Sequence, residues 1–324
     1  MKAIVCEAFA PLQELKYNDL PDPVARKGQV VIDVAAAGVN FPDGLLVQGL
    51  YQMKPPCPFV PGTEIAGVVS EVGEGVAHLK VGDRVVGVTM LGGYAEKAAL
   101  QANTVMPLAD AIPFEEAAGL ITAHATAHHA LKQRANLQAG ETLLVTGAAG
   151  GTGLAAVQIG KAMGAKVIAV CSTAEKLAVA EANGADILIN ASEQDLRAEV
   201  KKITGGQGVD VAYDVVGGDT FDTLSRCIGW NGRLLVIGFA SGRIPELPVN
   251  LTLVKGYAVL GVFWGTFTMR QPKEFMANMM ELMQWYLEGK VKVVVDQTYP
   301  LANAVDAINK VMNRQVKGKV ILTP

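Results

Sequence analysis

The stretch TLLVTGAAGGTGLAAVQIGKAMGAKVIAVCSTAEK, residues 142–176, decides the fold of this chain. An apolar run at 142–146 leads into the turn GAAGGTG at 147–153, and a helical pattern at 154–163 precedes a second apolar run at 166–171. Strand, glycine-rich turn, helix and strand make one βαβ unit, which should have a right-handed crossover. The pattern predicts an α/β fold built around a parallel sheet.

The turn matches the dinucleotide-binding pattern G-x-G-x-x-G, whose three positions fall on Ala148, Gly150 and Gly153. Alanine still permits the tight turn, Gly150 and Gly151 let the backbone approach a pyrophosphate, and Gly153 lets the helix pack closely on the strand. Amides at the helix start would face the anion. We predict a dinucleotide site rather than an ordinary α/β turn, with contacts from Ala149, Gly150, Gly151, Thr152 and Gly153.

The end of the second strand indicates which dinucleotide binds. An NAD site places Asp or Glu about 20 residues after the glycines, where the carboxylate bonds the ribose 2′-hydroxyl. This strand instead ends at Ser172, with Lys176 close behind, so a hydroxyl and a positive charge are available for a 2′-phosphate. The arrangement favours NADPH over NADH. In the alternative, Ser172 caps a helix and Lys176 is a solvated surface residue.

The composition excludes several function classes. A length of 324 residues suggests two domains, and a hydrophobic share of 50% supplies a sizeable core. The net charge of −3 does not suggest a general nucleic-acid binder, which would be strongly basic. The chain start shows no signal-peptide pattern and no apolar run is long enough for a bilayer, so we expect a cytoplasmic protein. The scattered cysteines argue against a disulfide framework and a structural zinc lobe: Cys6, Cys57, Cys171 and Cys227.

Several separated motifs resemble one known family. AAGVNFPDGLL at 36–46, PFVPGTEIAGVVSEVGEGV at 58–76 and VGDRVVG at 81–87 look like the N-terminal catalytic domain of the medium-chain dehydrogenase/reductase superfamily. With the turn at 147–153, the match is to the quinone oxidoreductase branch, the zeta-crystallin-like proteins. The resemblance implies a Rossmann sheet plus a mostly β, GroES-like catalytic domain. The implied domains are catalytic at 1–118 and 265–324, and NADPH-binding at 119–264.

Departures from the zinc-containing members are informative. Zinc alcohol dehydrogenases carry a Cys ligand where this chain has Asn40, and a His ligand where it has Thr63. Zinc needs three or four N, S or O ligands, and these two side chains are poor substitutes. The zinc-free quinone oxidoreductases look like this chain, so we predict no catalytic metal. Glu64 would remain as a structural hydrogen-bonding residue.

The helix predicted at 115–134 carries three histidines. His124 and His128 are spaced to share a helix face and could bind a metal, but the pattern lacks the glutamate of H-E-x-x-H and an evident third ligand. Ordinary packing and solvent-facing roles are therefore favoured for them. Thr126 matches a threonine that lies beside the nicotinamide in quinone oxidoreductases. The alternative is a helix hydroxyl bonded to its own backbone.

Strands and helices alternate after the βαβ unit, which predicts a doubly wound sheet with ligands at the carboxyl ends of its strands. The resemblance implies that backbone at Phe239 and Phe263 holds the nicotinamide ribose and carboxamide. Phe263 and Trp264 could wall an apolar substrate pocket or be core or interface residues. Arg314 would assist at the 2′-phosphate unless it lies in a solvated turn. The residues at these strand ends are Val216, Gly238, Phe239, Val262, Phe263 and Trp264.

The resemblance implies an NADPH-dependent reductase that passes hydride to a quinone or an α,β-unsaturated carbonyl. Asn40 and Tyr51 would donate hydrogen bonds to the acceptor, and Thr126 would fix the nicotinamide. Tyr51 could instead donate a proton or cover the ring, and Asp43 would orient the loop.

Two alternatives stay open. One is an enoyl- or acryloyl-CoA reductase on the same scaffold, and the other is a non-enzymatic NADPH-binding structural or RNA-binding protein. Relatives of this family lead us to expect a homodimer or homotetramer. The edge strand near 257–261 could be the contact between chains, or its own chain could cover it.

Overall fold

Fifteen strands and ten α-helices order the chain in the computed structural model, which describes residues 1–324 throughout. The strands are β1 (Lys2–Val5), β2 (Lys16–Asp19), β3 (Gln29–Val39), β4 (Glu64–Val72), β5 (Arg84–Val88), β6 (Lys97–Gln101), β7 (Val105–Pro107), β8 (Thr142–Thr146), β9 (Lys166–Cys171), β10 (Ile187–Asn190), β11 (Val209–Asp214), β12 (Ile228–Val236), β13 (Ala258–Gly261), β14 (Val295–Pro300) and β15 (Lys319–Thr323). The helices are α1 (Phe41–Val47), α2 (Phe114–His129), α3 (Gly151–Ala162), α4 (Ala174–Glu181), α5 (Leu196–Ile203), α6 (Gly218–Leu224), α7 (Asn250–Lys255), α8 (Trp264–Arg270), α9 (Pro272–Leu287) and α10 (Ala304–Met312).

The chain divides into two compact units. Unit 1 comprises residues 1–122 and 293–324, and unit 2 comprises residues 123–292. The domain prediction instead assigns residues 265–292 to the catalytic domain. None of the ten helices combines the length and the apolar character that crossing a bilayer requires.

Side-chain contacts of α9 explain why this segment belongs to unit 2. The Gln133 side-chain amide, just after α2, donates to Asn278 at 2.8 Å and accepts from it at 3.1 Å. Nearby, His128 Nε2 lies 2.7 Å from a carboxylate oxygen of Glu281. The two α9 residues thus pair with the end of α2 and with the turn directly after it, so the second boundary falls after α9 rather than before α8.

Unit 2 contains a six-stranded parallel sheet in the order β10-β9-β8-β11-β12-β13. Its central strands are apolar on both faces, as expected where helices cover a parallel sheet. Leu143 and Leu144 in β8 and Ile168 in β9 are fully buried. The strand order reverses between β8 and β11, so the turns that follow these two strands lie together at the position where such sheets bind ligands.

Unit 1 contains a seven-stranded, largely antiparallel sheet and a short β1–β2 hairpin. The long strand β3 is its centre, pairing with β4, β6 and β15. In the β15 pairing, Val320 lies opposite Val39 and Ile321 opposite Gly38, so the last strand runs beside the carboxyl end of β3. The predicted fold class, a Rossmann-type parallel sheet plus a mostly β domain, is confirmed.

Candidate active site

The glycine-rich turn of unit 2 forms an open cradle of backbone amides. Gly150 caps α3 without a side-chain hydrogen bond, so the first amides of the helix keep their donors available. A Cβ on Gly153 would lie 2.2 Å from the Gly147 carbonyl oxygen, so only glycine fits there. Gly147 itself has a φ of +57°. These features fit the pyrophosphate of a dinucleotide.

Thr152 differs from its neighbours in the turn because its side chain faces inward. Its hydroxyl is hydrogen-bonded to the Tyr213 hydroxyl at 2.6 Å and donates to the Ala123 carbonyl at 3.2 Å. Tyr213 is fully buried in β11, and burial raises the pKa of its hydroxyl. Thr152 therefore has its backbone amide, and not its hydroxyl, to offer a ligand. This bond joins the start of α3 to the neighbouring strand.

The turn after β11 is held by a buried carboxylate. Asp214 is 1% exposed and accepts from the Thr146 hydroxyl at 2.7 Å and from the amides of Val216 (3.0 Å) and Gly217 (3.1 Å). Burial raises the pKa of this carboxyl. Gly217 has a φ of +68°, and a Cβ there would lie 2.9 Å from the Phe239 ring. Asp214 thus shapes the loop in which Val216 is placed.

The end of β9 carries the two residues expected to select the cofactor. Ser172 is exposed and Lys176 is half-buried on the first turn of α4. The cap of α4 is Thr173, whose hydroxyl accepts from the Lys176 amide at 3.3 Å, so the alternative that Ser172 caps this helix is wrong. The hydroxyl of Ser172 therefore remains outside the capping interaction.

The remaining strand-end residues of unit 2 fall into two groups. Gly238 and Phe239 follow β12 and are half-buried. Phe263 is 55% exposed at the start of α8, whereas Trp264 is 8% exposed and lies edge-on to the Phe275 ring at 5.9 Å. The contacts of Trp264 are those of a packing residue. They favour the packing alternative for Trp264, while a place for Phe263 and Trp264 in the wall of a pocket stays a prediction.

The histidines of α2 have separate partners. His124 lies 3.4 Å from the Gln158 side chain, His128 is paired with Glu281 as above, and His129 stacks on Phe267 at 3.8 Å. Burial lowers the pKa of His128 and of His129. No group of three or more His, Cys, Asp or Glu side chains is placed to hold a metal. Thr126 lies half-buried on the same helix.

In unit 1, Asn40 lies directly after β3 and is the N-cap residue of α1. The backbone N–H of Asn40 donates to Asp43 Oδ2 at 2.8 Å, and the backbone N–H of Asp43 donates to the backbone carbonyl of Asn40 at 3.1 Å. The Tyr94 hydroxyl donates to the same Oδ2 at 2.6 Å, while the buried Oδ1 has no partner. Burial raises the pKa of Asp43 to about 6. Tyr51 is half-buried nearby, and its pKa is raised by burial and by the Asp43 charge.

A buried ion pair completes this region. Lys319 Nζ donates to Glu64 Oε1 at 2.7 Å, to Asn40 Oδ1 at 2.7 Å and to the Val39 carbonyl at 3.1 Å. Glu64 Oε1 also accepts from Asn40 Nδ2 at 2.8 Å, and its Oε2 accepts from the Thr122 amide at 2.7 Å. The predicted hydrogen-bonding role of Glu64 thus involves three partners.

Comparisons with known proteins follow the same division of the chain. The family model described as alcohol dehydrogenase GroES-like domain matches residues 26–110, and that described as zinc-binding dehydrogenase matches residues 151–285. Quinone oxidoreductase-like protein 2 of Rattus norvegicus is 39% identical over 324 residues, which cover 99% of this chain and 92% of that protein. The quinone oxidoreductase of the same species is 34% identical, covering 99% and 97% of the two chains.

Among solved structures, the Escherichia coli quinone oxidoreductase complexed with NADPH has a TM-score of 0.94 at 32% identity, with complete coverage of both chains. This chain belongs to the quinone oxidoreductase family. It shares the two-part architecture of these medium-chain dehydrogenase/reductases and is an oxidoreductase. A Pseudomonas syringae member of the family also matches, with a TM-score of 0.94 at 34% identity and 99% coverage of that chain.

For a quinone oxidoreductase, this structure adds residues that the sequence patterns do not indicate. Lys319 is buried against Glu64, although the sequence around it suggests only a basic tail. Gly38 is also required, because a Cβ there would lie 2.3 Å from Glu64 Oε1. One signal was present in the sequence: a lysine directly precedes the apolar run of the last strand. Arg314, with a φ of +58°, lies in an exposed turn, and its role at a 2′-phosphate stays a prediction.

Proposed function

We propose that this protein is an NADPH-dependent quinone oxidoreductase that reduces a quinone or an α,β-unsaturated carbonyl. The observation that carries the proposal is the end-to-end similarity to a quinone oxidoreductase solved with NADPH, combined with a glycine cradle in this chain that would fit the cofactor. NADPH would supply the hydride. The chain would supply binding, orientation and exclusion of water.

The cofactor would be held mainly by backbone groups of unit 2. The amides at the start of α3 would bind the pyrophosphate. Ser172 and Lys176 would bind the 2′-phosphate with help from Arg314, since the strand end offers no carboxylate for a 2′-hydroxyl. The nicotinamide end would be positioned by Thr126 and by residues at the strand ends: Val216, Gly238, Phe239 and Phe263, with Trp264 as packing support.

The acceptor would be polarised by hydrogen bonds from unit 1. Asn40 Nδ2 has two N–H groups, and Glu64 takes one of them, so the second can donate to a carbonyl oxygen. Tyr51 would provide a second donor. As hydride reaches the acceptor, negative charge grows on that oxygen, and fixed donors stabilise it. Protonation of the reduced product by Tyr51 would complete the reaction.

This role for hydrogen bonds underlies a further part of the proposal, that no metal is needed. The side chains of Asn40 and Glu64 are occupied by the Lys319 ammonium group. We expect the purified protein to keep its activity after treatment with a chelator. Activity that is lost to the chelator and restored by zinc would contradict this part.

The deciding experiment is NADPH oxidation by the purified protein, with NADH alongside. The acceptors are 1,4-benzoquinone, 9,10-phenanthrenequinone, crotonyl-CoA and acryloyl-CoA. We expect turnover of the quinones with NADPH preferred. Turnover of the CoA thioesters alone would contradict the proposal and would indicate an enoyl-thioester reductase. Tight NADPH binding without turnover of any acceptor would favour the non-enzymatic alternative, which RNA mobility shifts at varied salt would then test.

The choice of cofactor has its own test. Replacing Lys176 by Ala removes a positive charge beside the expected 2′-phosphate. We expect NADPH to bind about 10-fold more weakly, equal to about 1.4 kcal/mol, while the Kd for NADH stays unchanged. Equal losses for both cofactors, measured by quenching of tryptophan fluorescence, would exclude this role.

We also propose that the protein is a homodimer or homotetramer. The strand β13 lies at the edge of the parallel sheet, and its Ala258 and Gly261 are exposed. An edge strand of this kind offers unpaired backbone groups to another chain. Light scattering from the purified protein would measure the mass, and the mass of a single chain at micromolar concentration would contradict the proposal.

A further inference from the structure

The ammonium group of Lys319 is the most deeply enclosed positive charge of unit 1. The residue is 4% exposed, and its partner Glu64 is not exposed at all. A lysine ammonium has three N–H donors and no acceptor. Here it meets three acceptors: Glu64, Asn40 and the carbonyl of Val39. All three N–H groups of the ammonium are therefore satisfied by protein acceptors. One of these acceptors, Asn40, is a residue that we place in the active site.

These contacts determine which way the Asn40 amide faces. The ammonium group can only donate, so it requires the oxygen Oδ1 on its side at 2.7 Å. The Glu64 carboxylate can only accept, so it requires the nitrogen Nδ2 on its side at 2.8 Å. A flipped amide would place oxygen against carboxylate and nitrogen against ammonium. The two ionic partners thus permit only one orientation.

Strand pairing does not require this lysine. The β15–β3 ladder already aligns Val320, Ile321 and Leu322 with the end of β3. Buried ion pairs contribute little net stability, because desolvation of the two charges offsets their attraction, and apolar replacements are often neutral or stabilising. Stability alone is therefore a weak explanation for a Lys–Glu pair at this position.

We propose that Lys319 is a positioning residue that holds the Asn40 amide with its free N–H turned toward the acceptor. The inference rests on the proposed function, in which that N–H polarises the carbonyl. Lys319 also neutralises Glu64, so that the orientation is kept without leaving an isolated buried charge. Asn40, Glu64 and Lys319, which are far apart in the sequence, thus form one hydrogen-bonded group that sets the direction of the Asn40 donor.

The first test reads the orientation directly, without activity. In protein labelled with ¹⁵N-asparagine, the Asn40 side-chain resonances are assigned by their loss in Asn40→Ala. We expect two distinct, slowly exchanging N–H signals in the wild type and in Lys319→Arg. In Lys319→Met combined with Glu64→Gln, which removes both charges, they should shift and exchange faster. Unchanged signals in the double variant would overturn the proposal.

The second test reads turnover. We expect Lys319→Met/Glu64→Gln to lower kcat for the best acceptor by up to about 100-fold, as misplacement of a catalytic group does. The NADPH Kd should stay within about twofold, because the cradle lies in unit 2, and Lys319→Arg should recover most of kcat. In an Asn40→Ala background the double change should add no further loss. Losses that multiply would overturn the proposal.

A matched control is Lys310→Met, which removes another ion pair of unit 1, from Lys310 to Asp296 at 2.8 Å. We expect its kcat to be unchanged. An equal fall of kcat in this control would show that loss of any ion pair matters and would overturn the positioning role. If the wild type reduces no acceptor, the proposed function fails, while the resonance test still decides whether Lys319 orients Asn40.

Discussion

Unit 1 and unit 2 prepare their candidate binding groups in opposite ways. In unit 2, the donors are backbone amides in one short turn, left open because glycines remove the side chains around them. In unit 1, the donor is one side chain, Asn40, fixed by two charged groups that the fold buries beside it. A turn of contiguous residues suits a ligand with a constant pyrophosphate. A side chain held by two partners suits an acceptor whose carbonyl oxygen needs a hydrogen-bond donor in one fixed direction.

The largest effect is expected from a substitution in the glycine-rich turn of unit 2. Gly153→Ala would place a Cβ 2.2 Å from a backbone oxygen that cannot move aside without distorting the turn. We expect the free energy of unfolding to fall by about 1–3 kcal/mol and the NADPH Kd to rise more than about tenfold. Thermal melts and fluorescence titration measure the two effects.

The control for this change is Gly265→Ala on α8, where a Cβ would have no neighbour within 4 Å. Its stability should be unchanged or slightly higher, since alanine favours helix. Wild-type NADPH binding in Gly153→Ala would show that the close approach of Gly153 to the turn is unimportant.

The next largest effect is expected at Gly38 in unit 1, beside the Glu64 carboxylate. Gly38→Ala would put a Cβ 2.3 Å from Glu64 Oε1 and 2.5 Å from the Ala118 carbonyl oxygen. We expect a loss of stability of about 1–3 kcal/mol and a clear fall in kcat, with the NADPH Kd retained in protein that folds. If kcat is unaffected while NADPH binding is lost, the assignment of separate roles to the two units is wrong.

Asp43 in unit 1 gives an effect that depends on pH. Burial raises its pKa from 3.8 to about 6, so the folded protein binds this proton more tightly than the unfolded chain does. The cost of burying the charge is absent below about pH 4, grows through the interval and is complete above about pH 6. Asp43→Asn removes the titrating group and keeps the shape.

We therefore expect the unfolding free energy of Asp43→Asn, relative to wild type, to rise by about 2–3 kcal/mol from pH 4 to pH 7. Denaturant unfolding at several pH values measures it. A difference that is constant across this range would mean that Asp43 has the same pKa in the folded and the unfolded chain, and would contradict the effect of burial.

The smallest expected effect concerns support of the unit 2 cradle. Tyr213→Phe removes the hydrogen bond to Thr152, at a cost of about 0.5–1.5 kcal/mol, and should weaken NADPH binding only a few-fold. The matched control is Tyr257→Phe, because the buried Tyr257 hydroxyl has no partner. Identical melting temperatures for the two variants would show that the Tyr213–Thr152 bond contributes nothing.

The glycine-rich turn of unit 2 and the Asn40 region of unit 1 also differ in how well the sequence predicts them. The glycine turn and its flanking strands are visible because every part is local: apolar runs, glycines and a helix pattern follow one another within 142–176. The parallel sheet and the mostly β domain follow from the same patterns. Nothing local could predict the pairing of Glu64 with Lys319, which lie 255 positions apart.

Two further differences have the same origin. The end of unit 2 after α9 depends on Asn278 and Glu281, which contact the turn after α2 and the end of α2, more than 140 positions away. Trp264 packs against Phe275 in the interior of unit 2. An apolar sequence pattern cannot distinguish such a packing residue from one that lines a pocket. Local periodicity shows which residues are apolar, but which partner covers them is decided by tertiary contacts.

The return of β15 to β3 has a consequence for the order in which the protein acquires structure during synthesis. Residues 123–292 form unit 2 without interruption, so that unit can fold as soon as it leaves the ribosome. Glu64 can pair with Lys319 only after the last strand has been synthesised. Closing so long a loop also carries an entropic cost that contacts between neighbouring residues do not carry. We expect proteolysis of ribosome-bound chains to find unit 2 protected first. A nascent chain would thus complete the glycine-rich turn of unit 2 before Lys319 is available to orient Asn40.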